Sequence, residues 1–477
     1  MVFEHRAFFA RVVAARRSRV AIGRQGTDSA PPPPPLPLSR LAVVAIPALL
    51  LATTTPLSLA GQLPQTPAGS AATVDAQSPE PVPGATMTVH LITVGPGDRI
   101  EELWGHNAVL VRDTAAGIEE TYNYGLFDMS DPGFYLDFYW GRGDYMVAPM
   151  DLEGMLAGYR RAGRRVWAQE LVLEPAARVR LLGLLRTAVL PENRFYRYNY
   201  YLNNCSTKVR DILDVILGGQ LRAATESDRN GDAAGGPTAT WRHDTRRLAV
   251  EDPLVYLGIQ LFMGPRGDEP TTGWDDMWIP MKLRDTAGAL LVTQSDGSRV
   301  PLVGSEELWE DADRDYADTA PPPLDVLFLL SGLLAGVILS LLGYGARARG
   351  RAARTGLIVF ACGWGFFCLA TSILIVALHW TAHTFTYWNQ NFLLFSPLGS
   401  LVAASLVRTA VKGTTSVWGR RFTLLAMGLA LIALFLHLIP PLAQGNREML
   451  AFVLPLNLGF CWVMLGVHRA DDALVYS

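Results

Sequence analysis

Five long apolar segments in the C-terminal part of the chain constrain its fold more than any other feature. Each approaches the roughly 20 residues that a helix needs to cross a bilayer. They occupy about residues 324–343, 356–379, 392–407, 422–440 and 449–467, and the third is short and broken by proline. We therefore predict an all-α membrane bundle of about five transmembrane helices over residues 324–467, followed by a cytoplasmic tail, 468–477.

Basic residues are distributed unevenly among the loops that connect these segments. The loops 344–355 and 408–421 each contain four Lys or Arg residues, whereas the loops 380–391 and 441–448 contain only Arg447. Because short basic loops stay on the cytoplasmic side of a membrane, we expect residues 87–320 to be extracytoplasmic. The predicted location is the bacterial inner (cytoplasmic) membrane, with residues 87–320 on its outer, periplasmic side.

The N-terminal region has the composition of an export segment rather than of a folded domain. Residues 1–40 are rich in Arg and end in a proline run, which is typical of disorder. The apolar segment 41–60 is a signal peptide or a signal anchor, and in both cases the chain after residue 60 is exported. Residues 61–86 are rich in Pro, Ala, Ser and Thr and are predicted to form a linker.

Between the linker and the membrane bundle, the hydrophobic pattern predicts a domain of the α+β class over residues 87–320. A strand is expected at 88–94, and two strands beginning at 106 and 118 are predicted to form a hairpin. Amphipathic helices are expected at 151–161 and 175–189. The polar, Gly-rich segment 222–247 is predicted to be an insertion or a flexible loop.

Cys205 is the first candidate for a reactive group. The apolar residues Val209, Ile212, Leu213 and Ile216 recur at helical spacing, and Asn203, Asn204 and Ser206 are cap-forming types. Cys205 is therefore expected at a helix N-terminus, where the positive end of the helix dipole lowers the pKa of a thiol. The other three of the four cysteines lie in the apolar C-terminal part, so Cys205 has no disulfide partner in its own domain.

A thiol nucleophile needs a general base, and the base needs a group that orients it. His106 lies between Gly105 and Asn107 at the start of a predicted strand, where a ring can face an open site, and is our candidate base. Asn123 lies on the neighbouring strand and is the candidate orienting group. His90 is expected to be packed inside a strand.

Other polar residues have two interpretations each. Arg160, Arg161, Arg164 and Arg165 form either a site for lipid phosphates or a solvated basic face. His379 and His383 are four residues apart, which suits a metal, but no carboxylate or Cys accompanies them, so we expect interface histidines. We predict neither a cofactor nor a metal. The formal charge of −3 gives no reason to expect nucleic acid as a partner.

Four motifs, taken in this order, resemble the Lnb N-terminal periplasmic domain family: LITVGPGD (91–98), LWGHN (103–107), YNYGLF (122–127) and NNCSTKVRD (203–211). The resemblance covers about residues 87–250. The later motifs WNQNFLL (388–394) and PL (397–398) resemble the membrane part of the same family. The family is similar to circularly permuted NlpC-type, papain-like thiol enzymes, in which the catalytic His precedes the Cys.

The resemblance implies a papain-like fold, a lipid substrate and a set of site residues. The family includes a Bacteroides-type lipoprotein N-acyltransferase, so it implies transfer of an acyl chain from a membrane phospholipid to the N-terminal amine of a lipoprotein substrate. Cys205, His106 and Asn123 take the catalytic positions. Asn204, Tyr124 and Trp104 lie beside them in the motifs and are assigned to substrate binding.

Two alternatives to acyl transfer remain open from the sequence. An extracytoplasmic cysteine peptidase or amidase that acts on the cell wall would share the first half-reaction, in which Cys205 attacks a carbonyl carbon. A non-catalytic, membrane-anchored binding module would need neither the Cys nor the His. A lipid acyl donor suits the five-helix membrane part better than peptidoglycan does.

Overall fold

The computed structural model describes residues 82–128, 130–226, 239–314 and 323–466. The predicted N-terminal disorder, the signal segment and almost all of the linker lie outside the described residues, as does the predicted cytoplasmic tail.

A seven-stranded antiparallel sheet and a separate two-stranded hairpin make up the strands of the described soluble part. The strands are β1 (Met87–Val94), β2 (His106–Asp113), β3 (Ile118–Leu126), β4 (Asp144–Met150), β5 (Val166–Leu171), β6 (Phe195–Arg197), β7 (Leu291–Thr293), β8 (Arg299–Pro301) and β9 (Val303–Glu310). The large sheet has the order β6-β4-β3-β2-β1-β5-β9, and β7 pairs with β8. The predicted hairpin is confirmed as β2 and β3, with Ala108 opposite Asn123.

Helices pack on both faces of this sheet. They are α1 (Phe134–Tyr139), α2 (Leu152–Arg161), α3 (Pro175–Ala188), α4 (Cys205–Ile216), α5 (Gln220–Thr225), α6 (Trp241–Ala249), α7 (Pro253–Phe262), α8 (Gly273–Asp276) and α9 (Pro280–Ala289). Successive strand residues point to opposite faces, so Leu91 joins a core with α3, α4 and α9. Its neighbour Ile92 joins a second core with α2. The predicted α+β class is therefore confirmed.

The segment 222–247 does not match its prediction as an insertion or loop. Residues 227–238 lie outside the described part of the chain, but α6 begins inside the segment, at Trp241. Its polar residues are buried in pairs: Arg247 contacts Asp244 at 2.9 Å, and Arg242 contacts Asp268 at 2.7 Å. From the sequence alone, a segment with this many charged residues looks like a solvated loop. The partner that allows Arg242 to be buried, Asp268, lies outside the segment and could not be identified from it.

The described membrane part contains five helical segments that are long and apolar enough to cross a bilayer. Its helices are α10 (Asp325–Arg347), α11 (Arg351–Leu378), α12 (Asn391–Leu394), α13 (Leu398–Lys412), α14 (Val417–His437) and α15 (Arg447–Leu465). The third segment consists of α12 and α13, which are separated next to Pro397, as the sequence predicts. Together with its soluble domain, the chain is that of a multi-pass membrane protein.

Polar contacts join the soluble domain to the membrane helices. The buried Glu448 carboxylate at the start of α15 accepts hydrogen bonds from Arg246 and from the Tyr256 hydroxyl, the latter at 2.9 Å. The Asn391 side chain donates to the Gln260 carbonyl at 2.7 Å, and the Asn389 side chain donates to the Leu261 carbonyl at 2.8 Å. Helix α7 is thereby held against the membrane bundle.

Glu448→Ala is expected to destabilise this junction. Removing one partner of a buried ion pair leaves the other partner uncompensated, which typically costs about 3 kcal/mol or more. Arg447→Ala is the matched control, because its side chain is 69% exposed and its ion pair with Asp325 is a surface contact. The measurement is the Tm of the full chain in detergent. Equal Tm values for the two variants would contradict the importance of the junction.

Candidate active site

Cys205 is the first residue of helix α4, as the sequence predicts. Asn204 is the N-cap: its side-chain oxygen accepts the backbone N–H of Thr207 at 2.9 Å. The Thr207 hydroxyl in turn accepts the backbone N–H of Asn204 at 2.8 Å. This capping box satisfies two backbone donors at the helix start and fixes the position of the thiol.

The surroundings of the Cys205 thiol combine burial with hydrogen-bond donors. The side chain is only 9% exposed. Backbone N–H groups of Asn107, Ser206 and Cys205 itself point at the sulfur and favour its anionic form, but burial outweighs them and raises the pKa of the thiol. The expected lowering of this pKa is therefore wrong, because a helix N-terminus stabilises a thiolate less than desolvation destabilises it here.

His106 and Asn123 form the predicted imidazole–amide pair. The Nε2 atom of His106 and the Oδ1 atom of Asn123 are 3.1 Å apart. Because an amide oxygen only accepts, Nε2 carries the proton and Nδ1 is free to accept one. Burial, with a smaller effect of the Arg164 charge, lowers the pKa of His106 to about 4, against the raising effect of the Asn123 bond. The imidazole is therefore neutral at pH 7.

A single cavity of about 1170 Å³ contains Cys205, His106 and Asn123. Its volume exceeds the roughly 300–1,000 Å³ of ordinary small-molecule sites. Much of its wall is apolar or aromatic, including Leu126, Phe127, Phe138, Tyr145, Tyr159, Tyr198, Tyr200, Ile259, Phe262, Met263 and Phe385. The thiol lies next to the His106 strand, since the Asn107 amide points at its sulfur. The arrangement can activate a thiol beside a large, mainly apolar chamber.

The three residues assigned to substrate binding have different positions. Trp104 lines the cavity, and its indole N–H is buried without a hydrogen-bond partner among the described residues. Asn204 also lines it, but its side-chain N–H groups already donate to the Tyr200 and Trp278 carbonyls at 3.0 and 2.8 Å. Tyr124 lies in the hydrophobic core instead, because strand alternation turns it away from the side of Asn123.

The comparison with known families agrees with these motifs. Residues 80–247 match the family model described as the Lnb N-terminal periplasmic domain. The recognition made from the sequence motifs is therefore confirmed. No curated protein and no solved structure matches the chain. The relationship to permuted NlpC-type enzymes stays a prediction.

The segment that matches the Lnb model contributes most of the residues of the site, but residues beyond this segment complete the cavity. Trp278 and Pro280 lie in the wall after position 247, as do Ile259 and Phe262 of helix α7. The loop between α11 and α12 adds His383, Phe385 and Thr386. The sequence signal for these residues is weak, because they are far from the motifs and become neighbours of Cys205 only in the fold.

Gly125 is a site residue whose importance the sequence motif does not explain by itself. Its φ is +84°, and a Cβ atom added there would lie 3.3 Å from the Cβ of Cys205. The position therefore requires both the left-handed backbone that glycine adopts without strain and the absence of a side chain. The motif YNYGLF supplies Asn123, which bonds to His106, and, two residues later, the space for the Cys205 side chain.

The basic cluster is neither uniformly solvated nor uniformly free for lipid. Arg160 pairs with Glu310, and Arg165 pairs with Asp311 at 3.0 Å. Arg164 differs from both, because its side chain is only 4% exposed and lines the cavity. Of the two interpretations of this cluster, a solvated face does not describe Arg164, because this residue follows the end of α2 and turns inward.

The two histidines of the α11–α12 loop, His379 and His383, hydrogen-bond to the backbone. His379 Nδ1 donates to the Ile375 carbonyl at 3.0 Å, and its Nε2 accepts the Trp388 amide at 3.0 Å. His383 Nε2 donates to the Phe138 carbonyl of α1 at 2.8 Å. Throughout the described residues, no three metal-binding side chains converge. These histidines brace the loop and attach α1 to it.

The protonation states of Cys205 and His106 can be tested by alkylation of Cys205. Because burial raises its pKa, the thiolate fraction and the iodoacetamide rate are expected to keep rising from about pH 7 to about pH 9. With His106 neutral, His106→Ala should leave the shape of this profile unchanged. The measurement is mass spectrometry of the Cys205 peptide. A plateau that begins near pH 5 and vanishes in His106→Ala would instead reveal a resting thiolate–imidazolium pair.

Gly125→Ala is expected to lower stability and to displace the Cys205 side chain. The left-handed backbone costs a residue with a side chain about 1–2 kcal/mol, and the new methyl group also presses on Cys205. Gly163→Ala is the matched control, because Gly163 has φ +60° but no atom within 4 Å of an added Cβ. Both variants should lose Tm, and only Gly125→Ala should also change Cys205 alkylation. Unchanged alkylation would show that the cavity tolerates the methyl group.

Proposed function

We propose that this Lnb-type membrane protein is a thiol acyltransferase of the bacterial inner membrane. It moves a fatty acyl chain from a phospholipid, through a thioester on Cys205, to an amine, and the amine is the N-terminus of a lipoprotein. One observation carries the proposal: the chamber that contains Cys205 and the His106–Asn123 pair has walls contributed by elements attached to the membrane bundle.

In the first half-reaction, Cys205 attacks the carbonyl carbon of a lipid ester. Nδ1 of His106 takes the thiol proton as the carbon–sulfur bond forms, and Asn123 holds the ring through Nε2–H. The developing oxyanion lies near the backbone N–H groups at the α4 N-terminus. His106 then returns the proton to the leaving alkoxide as the ester carbon–oxygen bond breaks, which releases a lysolipid.

In the second half-reaction, the amine attacks the thioester carbon, and His106 accepts the proton that the nitrogen loses. Collapse of the intermediate breaks the carbon–sulfur bond, and the proton returns to Cys205. The full cycle starts and ends with a neutral thiol and a neutral imidazole, and the thioester between the two half-reactions is also uncharged. This matches the raised pKa of Cys205 and the lowered pKa of His106, which disfavour charge in the empty chamber.

The walls of the chamber support a lipid as the acyl donor. Helix α7 is a short apolar helix between the soluble domain and the bundle, and it lines the chamber with Val255, Ile259 and Phe262. Its Leu254 lines the chamber and is also 82% exposed. Next to the α11–α12 loop, α1 exposes Leu136. Apolar residues thus continue from the chamber interior to the exposed side of α7, the helix that hydrogen-bonds to Asn389 and Asn391 of the membrane part.

Thioester formation on Cys205 is the direct test. Membranes containing the protein are incubated with an alkyne-tagged phospholipid, and the label on the protein is visualised. We expect a label that neutral hydroxylamine removes and that Cys205→Ser lacks. His106→Ala should lower the labelling rate about 10²–10⁴-fold, the usual contribution of a positioned base. Lys208→Ala is the control, because Lys208 lies on α4 and contacts Tyr196 rather than the cavity.

Two other outcomes would replace the proposal. If no label forms but the protein cleaves peptidoglycan stem peptides in a Cys205-dependent way, it is a cell-wall peptidase. If neither activity is found, and Cys205→Ser and His106→Ala both complement a deletion of the gene for this protein, the protein is a binding module.

A further inference from the structure

Arg164 is a buried cation that faces the same chamber as Cys205. Its Nε donates to the Gly95 carbonyl at 2.9 Å, and its guanidinium lies over the Tyr159 ring at 5.1 Å. Its side chain is 96% buried, as the exposed fraction of 4% shows. It lines the cavity with Cys205 and His106, and its charge influences the pKa of both.

The guanidinium is incompletely satisfied. Nη2 is buried and has no hydrogen-bond partner among the described residues. Nη1 lies 3.5 Å from a Glu102 oxygen, which is long for a hydrogen bond. A buried donor without a partner is costly, all the more when the group is charged. An anion in the chamber would provide the missing acceptor.

The other charged residues of the wall do not compete for this role. Arg99 is paired with Glu101 at 2.5 Å, and its side chain is 52% exposed. Asp128 accepts from Ser130 at 2.6 Å. Arg164 is therefore the buried cation, among the described wall residues, that retains a donor for a ligand.

We propose that Arg164 binds a phosphate oxygen of the acyl donor and thereby selects phospholipids over uncharged glycerides. The inference rests on the proposed function and adds a specificity residue to it. The planar guanidinium suits a phosphodiester, which can accept from Nη1 and Nη2 together. In a phospholipid the phosphate and the acyl esters share one glycerol unit, so holding the phosphate places an ester carbonyl within range of Cys205.

The test compares two donors with the same alkyne-tagged chains in mixed micelles, a phosphatidylethanolamine and a diacylglycerol. The rate of Cys205 thioester formation is measured for each. We expect Arg164→Gln to lower the phospholipid rate about 10- to 100-fold, the size of a hydrogen bond to a charged group, through a raised KM. The diacylglycerol rate should stay nearly unchanged. A merely structural Arg164 would lower both rates equally, and that result would overturn the inference.

Two further variants keep the test decisive. Arg160→Gln is the matched control, because the Arg160 side chain is 63% exposed, pairs with Glu310 and lies outside the chamber wall, so this variant should leave the donor preference unchanged. Arg164→Lys keeps the charge but presents a single-point donor, so an intermediate preference is expected if Arg164→Gln folds poorly. A full phospholipid preference in Arg164→Lys and Arg164→Gln would also overturn the inference.

A binding measurement separates this inference from the proposed acyl transfer. A lysophospholipid is expected to protect Cys205 from iodoacetamide in the natural protein at concentrations at which a monoacylglycerol does not, and Arg164→Gln should remove this difference. Protection without any thioester would mean that acyl transfer fails while the anion site stands. A thioester in the natural protein, with equal protection by both lipids, would mean that acyl transfer stands while the anion site fails.

Discussion

The capped start of helix α4 is the constraint on which the rest of the site depends. The side chain of Asn204 accepts from Thr207 within the helix and donates to the carbonyls of Tyr200 and Trp278, so one amide holds the helix, the preceding turn and a distant loop. Cys205 follows directly and cannot move without breaking these bonds. The backbone of β2 then supplies the Asn107 amide to the sulfur. Small displacements of this helix end would therefore move the Cys205 thiol and the backbone N–H donors around it together.

Burial sets the chemistry of the pair that this scaffold presents. A chamber with mainly apolar walls penalises charge, so it raises the pKa of Cys205 and lowers that of His106. A neutral thiol is less reactive than a thiolate, so the proposed reaction requires the thiol proton to leave as the sulfur attacks. The same low polarity strengthens every hydrogen bond made to a developing oxyanion. Arg164 is the exception, because it is a charged side chain buried in this apolar environment, and Glu102 neutralises its charge only in part.

The junction between soluble and membrane parts is unusually polar for a contact with apolar helices. Glu448, Asn391 and Gln444 are fully buried, and each contacts residues of the soluble domain. Buried polar groups are costly unless paired, so these contacts favour one docking arrangement over sliding alternatives. The shape of the chamber depends on this docking arrangement, because part of its wall comes from α7 and the α11–α12 loop.

Local patterns in the sequence determined the five apolar helices, the β2–β3 hairpin and the capped helix that begins at Cys205, because each depends on neighbours within a few residues. The motifs also predicted the contact between His106 and Asn123, which the structure contains. Only the tertiary structure decided that Cys205 has a raised pKa, that Tyr124 packs in the core and that Arg164 turns into the chamber. Burial and the paths of distant segments decide these properties. Neither burial nor the path of a distant segment can be read from spacing along the chain, because the surroundings of Cys205 include residues as remote as Trp278 and Phe385.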